Sequence, residues 1–149
     1  MNRVIIRPLR AEDYAQWLPL WDGNNLGQSD DTVTLITWQR LIDPANTQVN
    51  GLCAEINGEL WGIVHYILHP TTGAINPVCY MQDVFVAPDH RRKGIGKRLV
   101  LEVTRIGQME KWARMYWITQ IGNAEAKAMY ENFGIPLNFM FYVLPLGAV

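Results

Sequence analysis

The stretch VFVAPDHRRKGIGKR, residues 84–98, decides the fold, because it passes from an apolar strand pattern through a basic turn into a helix pattern. A helix start leaves its first backbone N–H groups unpaired and carries partial positive charge, so it can bind a phosphate group. Gly94 and Gly96 allow the backbone to approach a ligand closely. Four basic residues surround the turn: Arg91, Arg92, Lys93 and Lys97. The stretch therefore predicts an anion-binding loop, with a diphosphate as its natural ligand.

Two well-known phosphate-binding patterns do not fit this turn. The P-loop pattern requires Ser or Thr after Gly-Lys, and Arg98 stands there instead. The dinucleotide-binding pattern requires a third glycine at the position of Leu99. The turn is therefore neither a Walker loop nor a Rossmann dinucleotide loop.

The composition suits one domain that spans residues 1–149. With 149 residues and 49% hydrophobic content, the chain can bury a substantial core without disulfides. Its net charge of −1 gives no overall attraction to nucleic acid or to anionic membranes, so the basic turn is a local feature. No uninterrupted apolar run is long enough to cross a membrane. We therefore expect a soluble, cytoplasmic protein.

The cysteines and histidines predict no metal site. Cys53 and Cys79 are the only cysteines, too few for a disulfide framework, so we expect buried, reduced thiols. The three histidines share no metal-ligand spacing with one another or with the cysteines. They are His65, His69 and His90.

Strand and helix patterns alternate along the first half of the chain. Residues 4–7 form a short β-branched run. Aromatic and apolar residues at positions 14, 17, 18 and 21 follow helical spacing, and Pro19 should kink or shorten that helix. A second helix should begin at a cap on Ser29 or Asp30 and end near position 42. Its expected buried face consists of Leu35, Trp38 and Ile42.

The second half completes a mixed α/β pattern. Asn57-Gly58, between two strand-like runs, predicts a tight hairpin. A strand over residues 78–86, a helix over 95–111 and a strand over 115–118 follow. Asn123 should cap a further helix that Gly134 closes, and a final strand is expected over residues 138–143. The predicted order is β-α-α-β-β-β-α-β-α-β.

Three features together resemble the GNAT superfamily of acyl-CoA-dependent N-acyltransferases. The spacing Arg91-x-x-Gly94-x-Gly96 after a hydrophobic strand matches that family's coenzyme A diphosphate loop, Gln/Arg-x-x-Gly-x-Gly/Ala. The element order is also similar. Asn123 and Tyr130 are two helical turns apart, so they share a helix face at about 10 Å. The likeness looks closest to the small histone and polyamine acetyltransferase branch.

The resemblance implies acetyl-CoA as cofactor and assigns the residues that hold it. The diphosphate would lie on the N–H groups of residues 92–97, and the pantetheine arm would pair with the backbone of residues 84 and 86. The N–H of Val84 would stabilise the developing oxyanion. Asn123 would hold the pantetheine arm, and Tyr130 would protonate the departing thiolate. The predicted cofactor-binding set is Val84, Phe85, Val86, Arg91, Arg92, Lys93, Gly94, Ile95, Gly96, Lys97, Asn123 and Tyr130.

The sequence does not identify a single residue as the general base. Polyamine-type relatives often carry a glutamate where this chain has Gln82, which cannot accept a proton. Histone-modifying relatives carry theirs two residues earlier, where this chain has Tyr80. Strand alternation places Asp83 on the face opposite both. Asp83, Glu55, a water chain or a desolvated substrate amine are the candidates, and Asp83 joins Tyr130 as the predicted catalytic pair.

The implied reaction is direct transfer of an acetyl group to a primary amine in a ternary complex. Polyamines, protein or peptide amines and small amines are all admissible acceptors. The predicted acceptor-site residues are Trp21, Asp22, Asp30, Asp31 and Glu55. The final strand could pair across a homodimer interface or lie at the edge of one subunit's sheet.

Two alternatives belong to other functional classes. Residues 90–98 contain six basic or histidine residues and could form a nucleic-acid-binding patch. The near-neutral total charge argues against that interpretation, and no nucleic-acid partner is predicted. A coenzyme A-binding sensor without catalysis is the second alternative, and Gln82 is the observation that favours it.

Overall fold

The chain consists of two compact units: the first ends at Trp117 and the second begins at Ile118. The computed structural model describes residues 3–147. Short 3₁₀ turns lie at Ala11–Asp13 and Pro88–His90. The first unit holds β1 (Ile5–Pro8), α1 (Tyr14–Asn24), α2 (Asp31–Ile42), β2 (Val49–Ile56), β3 (Glu59–His69), β4 (Val78–Val86), α3 (Ile95–Glu110) and β5 (Arg114–Tyr116). The second unit holds α4 (Ala124–Tyr130).

One mixed sheet has the strand order β1-β2-β3-β4-β5. The first four strands pair antiparallel, and β5 pairs parallel with β4. The turn between β2 and β3 holds Asn57 at φ 51° and Gly58 at φ 79°, the positive values that a two-residue type I′ hairpin requires. The predicted hairpin and the predicted mixed α/β fold class are confirmed.

Side-chain caps begin two of the predicted helices. The Asp30 carboxylate accepts the N–H of Val33 at 2.9 Å, and α2 then runs to the predicted end. The Asn123 side-chain oxygen accepts the N–H of Ala126 at 3.1 Å at the start of α4. This helix ends at Tyr130, and the N–H of Gly134 bonds back to the carbonyl of Tyr130 at 3.0 Å.

Aromatic side chains of α1 and α2 form the core on one face of the sheet. Trp17 is fully buried, with ring centroids 5.3 Å from Trp21 and 4.8 Å from Trp38. This core explains why α1 continues through Pro19 to Asn24, contrary to the expected shortening. A proline inside a helix costs about 3 kcal/mol, whereas each large side chain buried contributes about 1.5–3 kcal/mol.

The buried face of α2 differs from the predicted one. Leu35 is 51% exposed, while Thr34 and Trp38 are buried. The Thr34 hydroxyl accepts the indole N–H of Trp21 at 2.8 Å. A hydrogen bond between the two helices therefore determines which face of α2 is buried. The hydrophobic pattern of the sequence does not contain this information.

The predicted final strand is wrong. Residues 138–143 form no strand in the described chain, and the sheet does not include them. Their large apolar side chains, from Phe139 to Val143, are 67–85% exposed. A β-prone sequence becomes a strand only when a neighbouring strand pairs with its backbone.

No helix within residues 3–147 is long and apolar enough to span a membrane.

A buried ion-pair cluster joins β1 to the start of α1. The guanidinium of Arg7 donates two hydrogen bonds to the Asp13 carboxylate, both at 2.8 Å, and a third to Glu55 on β2 at 3.0 Å. Arg7 and Asp13 are both buried. Hydrogen bonding from the Arg7 guanidinium lowers the pKa of Asp13 below its ordinary value of 3.8.

Replacement of Asp13 by Asn should therefore destabilise the fold. Breaking one side of a buried ion pair costs about 3–5 kcal/mol, and we expect a loss of this order in the free energy of unfolding at pH 7, measured by urea denaturation. Because the folded-state pKa is depressed, the stabilisation is present above pH 3.8 and is lost as the pH falls through the folded-state pKa. Wild type should lose more stability below that pH than Asp13→Asn.

Glu102→Gln is the matched control, because Glu102 pairs with Arg105 on the exposed surface of α3. Surface pairs contribute little to stability. If both variants changed the free energy of unfolding equally, the assigned role of the Arg7 cluster would be wrong.

Candidate active site

The loop between β4 and α3 presents backbone N–H groups. Arg92 at φ 63° and Gly94 at φ 77° both have left-handed backbone conformations, on either side of Lys93. Residues of alternating backbone handedness direct successive N–H groups into an anion-binding concavity. The first helical amide that bonds back to a carbonyl is that of Arg98, to Gly94 at 3.1 Å. Within the described chain, the amides of residues 93–97 make no backbone hydrogen bond, so they fit a diphosphate.

Side chains of the loop hold its conformation rather than surrounding an anion. The Arg91 guanidinium donates to the carbonyl of Val86 at 2.9 Å and lies 5.2 Å from the Phe85 ring. His90 stacks on Trp61 with ring centroids 3.7 Å apart, and the Lys93 ammonium lies 5.0 Å from the Trp61 ring. Lys97 is exposed in the first turn of α3. Arg91 and Lys93 thus contact the protein itself, and their predicted role in coenzyme A binding stays a prediction.

An open backbone edge leads to this loop. β4 and β5 pair only from Val78 with Arg114 to Tyr80 with Tyr116, whereas β4 continues to Val86. In the described sheet, β4 beyond Tyr80 has no partner strand on the β5 side. An extended arm can therefore form strand-like hydrogen bonds there. The side chain of Phe85 packs against the core, so Phe85 can serve a ligand only through its backbone.

A β-bulge in β4 changes the face on which Asp83 lies. Met81 is paired with Tyr66 and Asp83 with His65, which leaves Gln82 as the extra residue. We call the side of the sheet on which His65 contacts Trp17 the α1 face. Asp83 lies on the α1 face, as does Tyr80. The prediction from strict alternation, which placed Asp83 opposite Tyr80, is wrong because the bulge adds a residue between them.

Two donors hold the Asp83 carboxylate. Asn24 at the end of α1 donates its amide N–H to Oδ1 at 3.0 Å. His65 Nδ1 lies 3.0 Å from Oδ2. The Asp83 side chain is 20% exposed and the His65 side chain is 4% exposed. A carboxylate fixed in this way can accept a further hydrogen bond from a ligand on its exposed side.

Next to Asp83, a pair of tyrosines marks the point where β4 and β5 diverge. Tyr80 and Tyr116 stack with ring centroids 5.0 Å apart. His69 Nδ1 lies 2.8 Å from the carbonyl of Pro70 and must donate to it, so His69 Nε2 accepts the Tyr116 hydroxyl at 2.7 Å. Burial, with a smaller contribution from the Asp83 charge, raises the pKa of Tyr80.

Sequence reasoning missed His65 and His69 as parts of this site. It tested the histidines only against metal-ligand spacing. Their separation of four residues along β3 puts both on one face of the strand, and that signal was available.

The predicted acceptor-site residues are dispersed. Glu55 lies on β2, which β3 separates from the strand of Asp83, and it bonds to Arg7. Trp21 is buried in the core. Asp30 is the cap of α2, Asp31 is exposed in the first turn of that helix, and Asp22 is half-buried on α1. The structure thus leaves Asp83 as the candidate base with an exposed carboxylate at the strand divergence.

Both cysteines are free and buried, as predicted. Burial raises the pKa of Cys53 and the pKa of Cys79 to about 12, so both thiols stay protonated near neutral pH. Neither is suited to act as a nucleophile that carries an acyl group. The described residues include no cluster that could hold a metal ion.

The second unit carries Asn123 and Tyr130 on one helix. Asn123 uses its side-chain oxygen as the cap of α4, so its Nδ2 group is the part that can donate to a ligand. Tyr130 is the last residue of α4 and is half-buried. The predicted spacing of two turns along one helix, with Asn123 as its cap, is confirmed.

Comparisons with known proteins agree with this architecture. The family model described as the acetyltransferase (GNAT) family matches residues 11–135. The D-amino-acid N-acetyltransferase HPA3 of Saccharomyces cerevisiae is 26% identical over 145 residues, 95% of this chain and 90% of that protein.

Two solved structures share the fold. The ribosomal-protein-alanine N-acetyltransferase of Brucella melitensis biovar Abortus 2308 has a TM-score of 0.78 at 22% identity, covering 97% of this chain and 100% of that one. The enzyme AAC(6')-Iy, in complex with the bisubstrate analogue CoA-S-monomethyl-acetylneamine, has a TM-score of 0.82 at 18% identity, covering 98% and 99%.

Lys97→Glu should weaken coenzyme A binding. A negative charge in the first turn of α3 repels a diphosphate bound at the loop amides, and we expect the dissociation constant to rise about tenfold in titration calorimetry. Lys111→Glu is the control, because it makes the same charge change at the other end of the helix, about 21 Å away. Equal weakening by both variants would indicate a general charge effect and would contradict a site at the loop.

Proposed function

Because the chain belongs to the GNAT acetyltransferase family and is an acetyl-CoA-dependent N-acetyltransferase, we propose that its acceptor is a small, cationic primary amine that approaches the α1 face of the sheet. The observation that carries the proposal is the position of the Asp83 carboxylate, which is partly exposed where β4 and β5 diverge, on the strand that leads into the anion-binding loop.

The groups around the strand divergence favour a cation. Asp83 carries a negative charge, while Tyr80 and Tyr116 offer stacked aromatic rings. Aromatic faces and carboxylates both attract ammonium groups. None of these three side chains carries a positive charge that would form an ion pair with an acceptor's own carboxylate. The proposal therefore favours polyamine-like or aminoglycoside-like amines over amino acids, although the matched HPA3 protein is named for D-amino acids.

Asp83 and Tyr130 have complementary roles in this proposal. Asp83 accepts the first proton, which the ammonium group must lose before its nitrogen has a free lone pair. The neutral nitrogen then bonds to the acyl carbon as the carbon–sulfur bond breaks, and Tyr130 gives a proton to the sulfur. The second proton that the nitrogen loses balances the one that Tyr130 gives. The Asn123 Nδ2 group would hold the pantetheine arm. Asp83 is a better candidate for the base than Glu55, because Glu55 is ion-paired with Arg7.

We also propose that the protein forms a homodimer through its C-terminal segment. The segment 137–146 exposes seven large apolar residues and Tyr142, each at least 67% exposed. Monomeric proteins rarely expose contiguous apolar surface of this extent. A second copy of the chain is the proposed partner, since a β-prone segment can pair with a sheet edge of another subunit.

Tyr130→Phe should lower kcat without weakening coenzyme A binding. Loss of a general acid costs about 10²–10⁴-fold in rate, and we expect a fall within that range when thiol release from acetyl-CoA is followed with a panel of amines. The panel contains spermidine, an aminoglycoside, a D-amino acid and a lysine peptide. Glu131→Gln is the control, because Glu131 is an exposed residue directly after Tyr130 at the end of α4.

Two results would reject the proposal. Thiol release at the same rate with and without each amine would show that no amine of the panel is an acceptor. A preference for the D-amino acid over both polycations would contradict the cationic acceptor.

Phe139→Asp combined with Phe141→Asp should shift the protein towards the monomer. Charges placed in an apolar interface oppose association. Sedimentation velocity should show a dimer for wild type and a monomer for the double variant, with unchanged circular dichroism. Ile75→Asp provides the control, as Ile75 is a fully exposed apolar residue in the loop between β3 and β4. A monomeric wild type at micromolar concentration would exclude the dimer.

A further inference from the structure

Three buried or half-buried side chains form a hydrogen-bonded series from the core to Asp83. The Trp17 indole N–H donates to His65 Nε2 at 3.1 Å. His65 Nδ1 then lies 3.0 Å from Asp83 Oδ2. Trp17 is fully buried and His65 is 3% exposed. The series links α1, β3 and β4 on the α1 face.

The chemistry of the partners fixes the tautomer of His65. An indole nitrogen can only donate, so His65 Nε2 must present its lone pair. The ring hydrogen therefore sits on Nδ1, where it donates to the Asp83 carboxylate. His65 thus accepts at Nε2 and donates from Nδ1 in this arrangement.

Asp83 is constrained from two sides. Asn24 occupies Oδ1 and His65 occupies Oδ2, one donor on each oxygen. Each carboxylate oxygen has two lone-pair sites, so capacity for a further donor remains. The two hydrogen bonds fix the direction of the carboxylate, which matters because misplacement of a reacting group by about 1 Å can cost about 10²-fold in rate.

We propose that His65 is a positioning residue, which holds the Asp83 carboxylate oriented to accept the proton of the acceptor amine. This inference rests on the proposed role of Asp83. In this role His65 acts through Asp83 and transfers no proton during the reaction.

Two substitutions at His65 separate positioning from stability. In His65→Asn, the amide nitrogen occupies the place of Nδ1 and can still donate to Asp83, while the Trp17 N–H loses its acceptor. In His65→Gln, the longer side chain places its oxygen near the Nε2 position, which preserves the Trp17 bond and removes the donor to Asp83. Each variant loses one buried hydrogen bond, so a purely structural role predicts similar effects of both on activity.

Steady-state kinetics with acetyl-CoA and the best amine of the panel should distinguish the two variants. We expect His65→Gln to lower kcat about tenfold with KM for acetyl-CoA unchanged, and His65→Asn to retain kcat within about threefold of wild type. Gln16→Ala is the stability control. Gln16 on α1 makes two hydrogen bonds to the β2–β3 hairpin, at Gly58 and Leu60, away from Asp83. It should lower the melting temperature and leave kcat unchanged.

Asp83→Asn, measured in parallel, separates this inference from the proposed function. If Asp83→Asn retains wild-type kcat, Asp83 is not the base, and both the base assignment and the positioning role fail. If Asp83→Asn loses activity while His65→Gln and His65→Asn behave alike, only the positioning role fails. A nitrogen-15 NMR spectrum of His65 adds a readout independent of turnover, because the Nδ1–H tautomer has a distinct pair of shifts. Observation of the Nε2–H tautomer would also overturn the inference.

Discussion

One additional residue in β4 is the constraint on which the site depends. With strict alternation, Asp83 would share a face with Met81 and point away from α1. The bulge at Gln82 brings Asp83 to the α1 face, where Asn24 and His65 bind its carboxylate. Pairing with β5 ends two residues before the bulge, at Tyr80. The Asp83 carboxylate and the open backbone edge of β4 therefore lie next to each other. The proposed acyl transfer needs both, because the edge would bind the acyl carrier and the carboxylate would accept the proton of the amine.

The conformation of the anion-binding loop also depends on contacts with neighbouring residues. A left-handed conformation costs about 1–2 kcal/mol for a residue other than glycine, yet Arg92 adopts it. The neighbouring side chains hold the loop: Arg91 bonds to Val86, and His90 stacks on Trp61. A loop that is fixed by its own protein contacts loses less conformational entropy when an anion binds. Arg91 and Lys93 thus contact other residues of the protein, and the loop amides are the donors expected to bind an anion.

Sequence reasoning succeeded where the determinants are local. The Asn57-Gly58 turn, the caps at Asp30 and Asn123, and the bounds of β4 all follow from residues next to one another, and each is confirmed. It failed where a residue distant in the sequence determines the local structure. The rotation of α2, which exposes Leu35, depends on a bond between Thr34 and Trp21. The face of Asp83 depends on register with β3, and the absence of a strand over residues 138–143 depends on which backbone edges lie nearby. Hydrophobic periodicity contains none of this information.

The hydrogen-bonded series from Trp17 to Asp83 also limits the route that a proton can take. A relay through His65 would require the imidazole to receive a proton from Asp83 on Nδ1 and release one from Nε2. His65 already carries its hydrogen on Nδ1, and its Nε2 faces an indole N–H that has no lone pair to accept a proton. Beyond Trp17 lies the aromatic core of α1 and α2. If Asp83 is the base, as proposed, a proton that it accepts leaves from the exposed side of its own carboxylate. Exchange with solvent then restores the carboxylate for the next turnover.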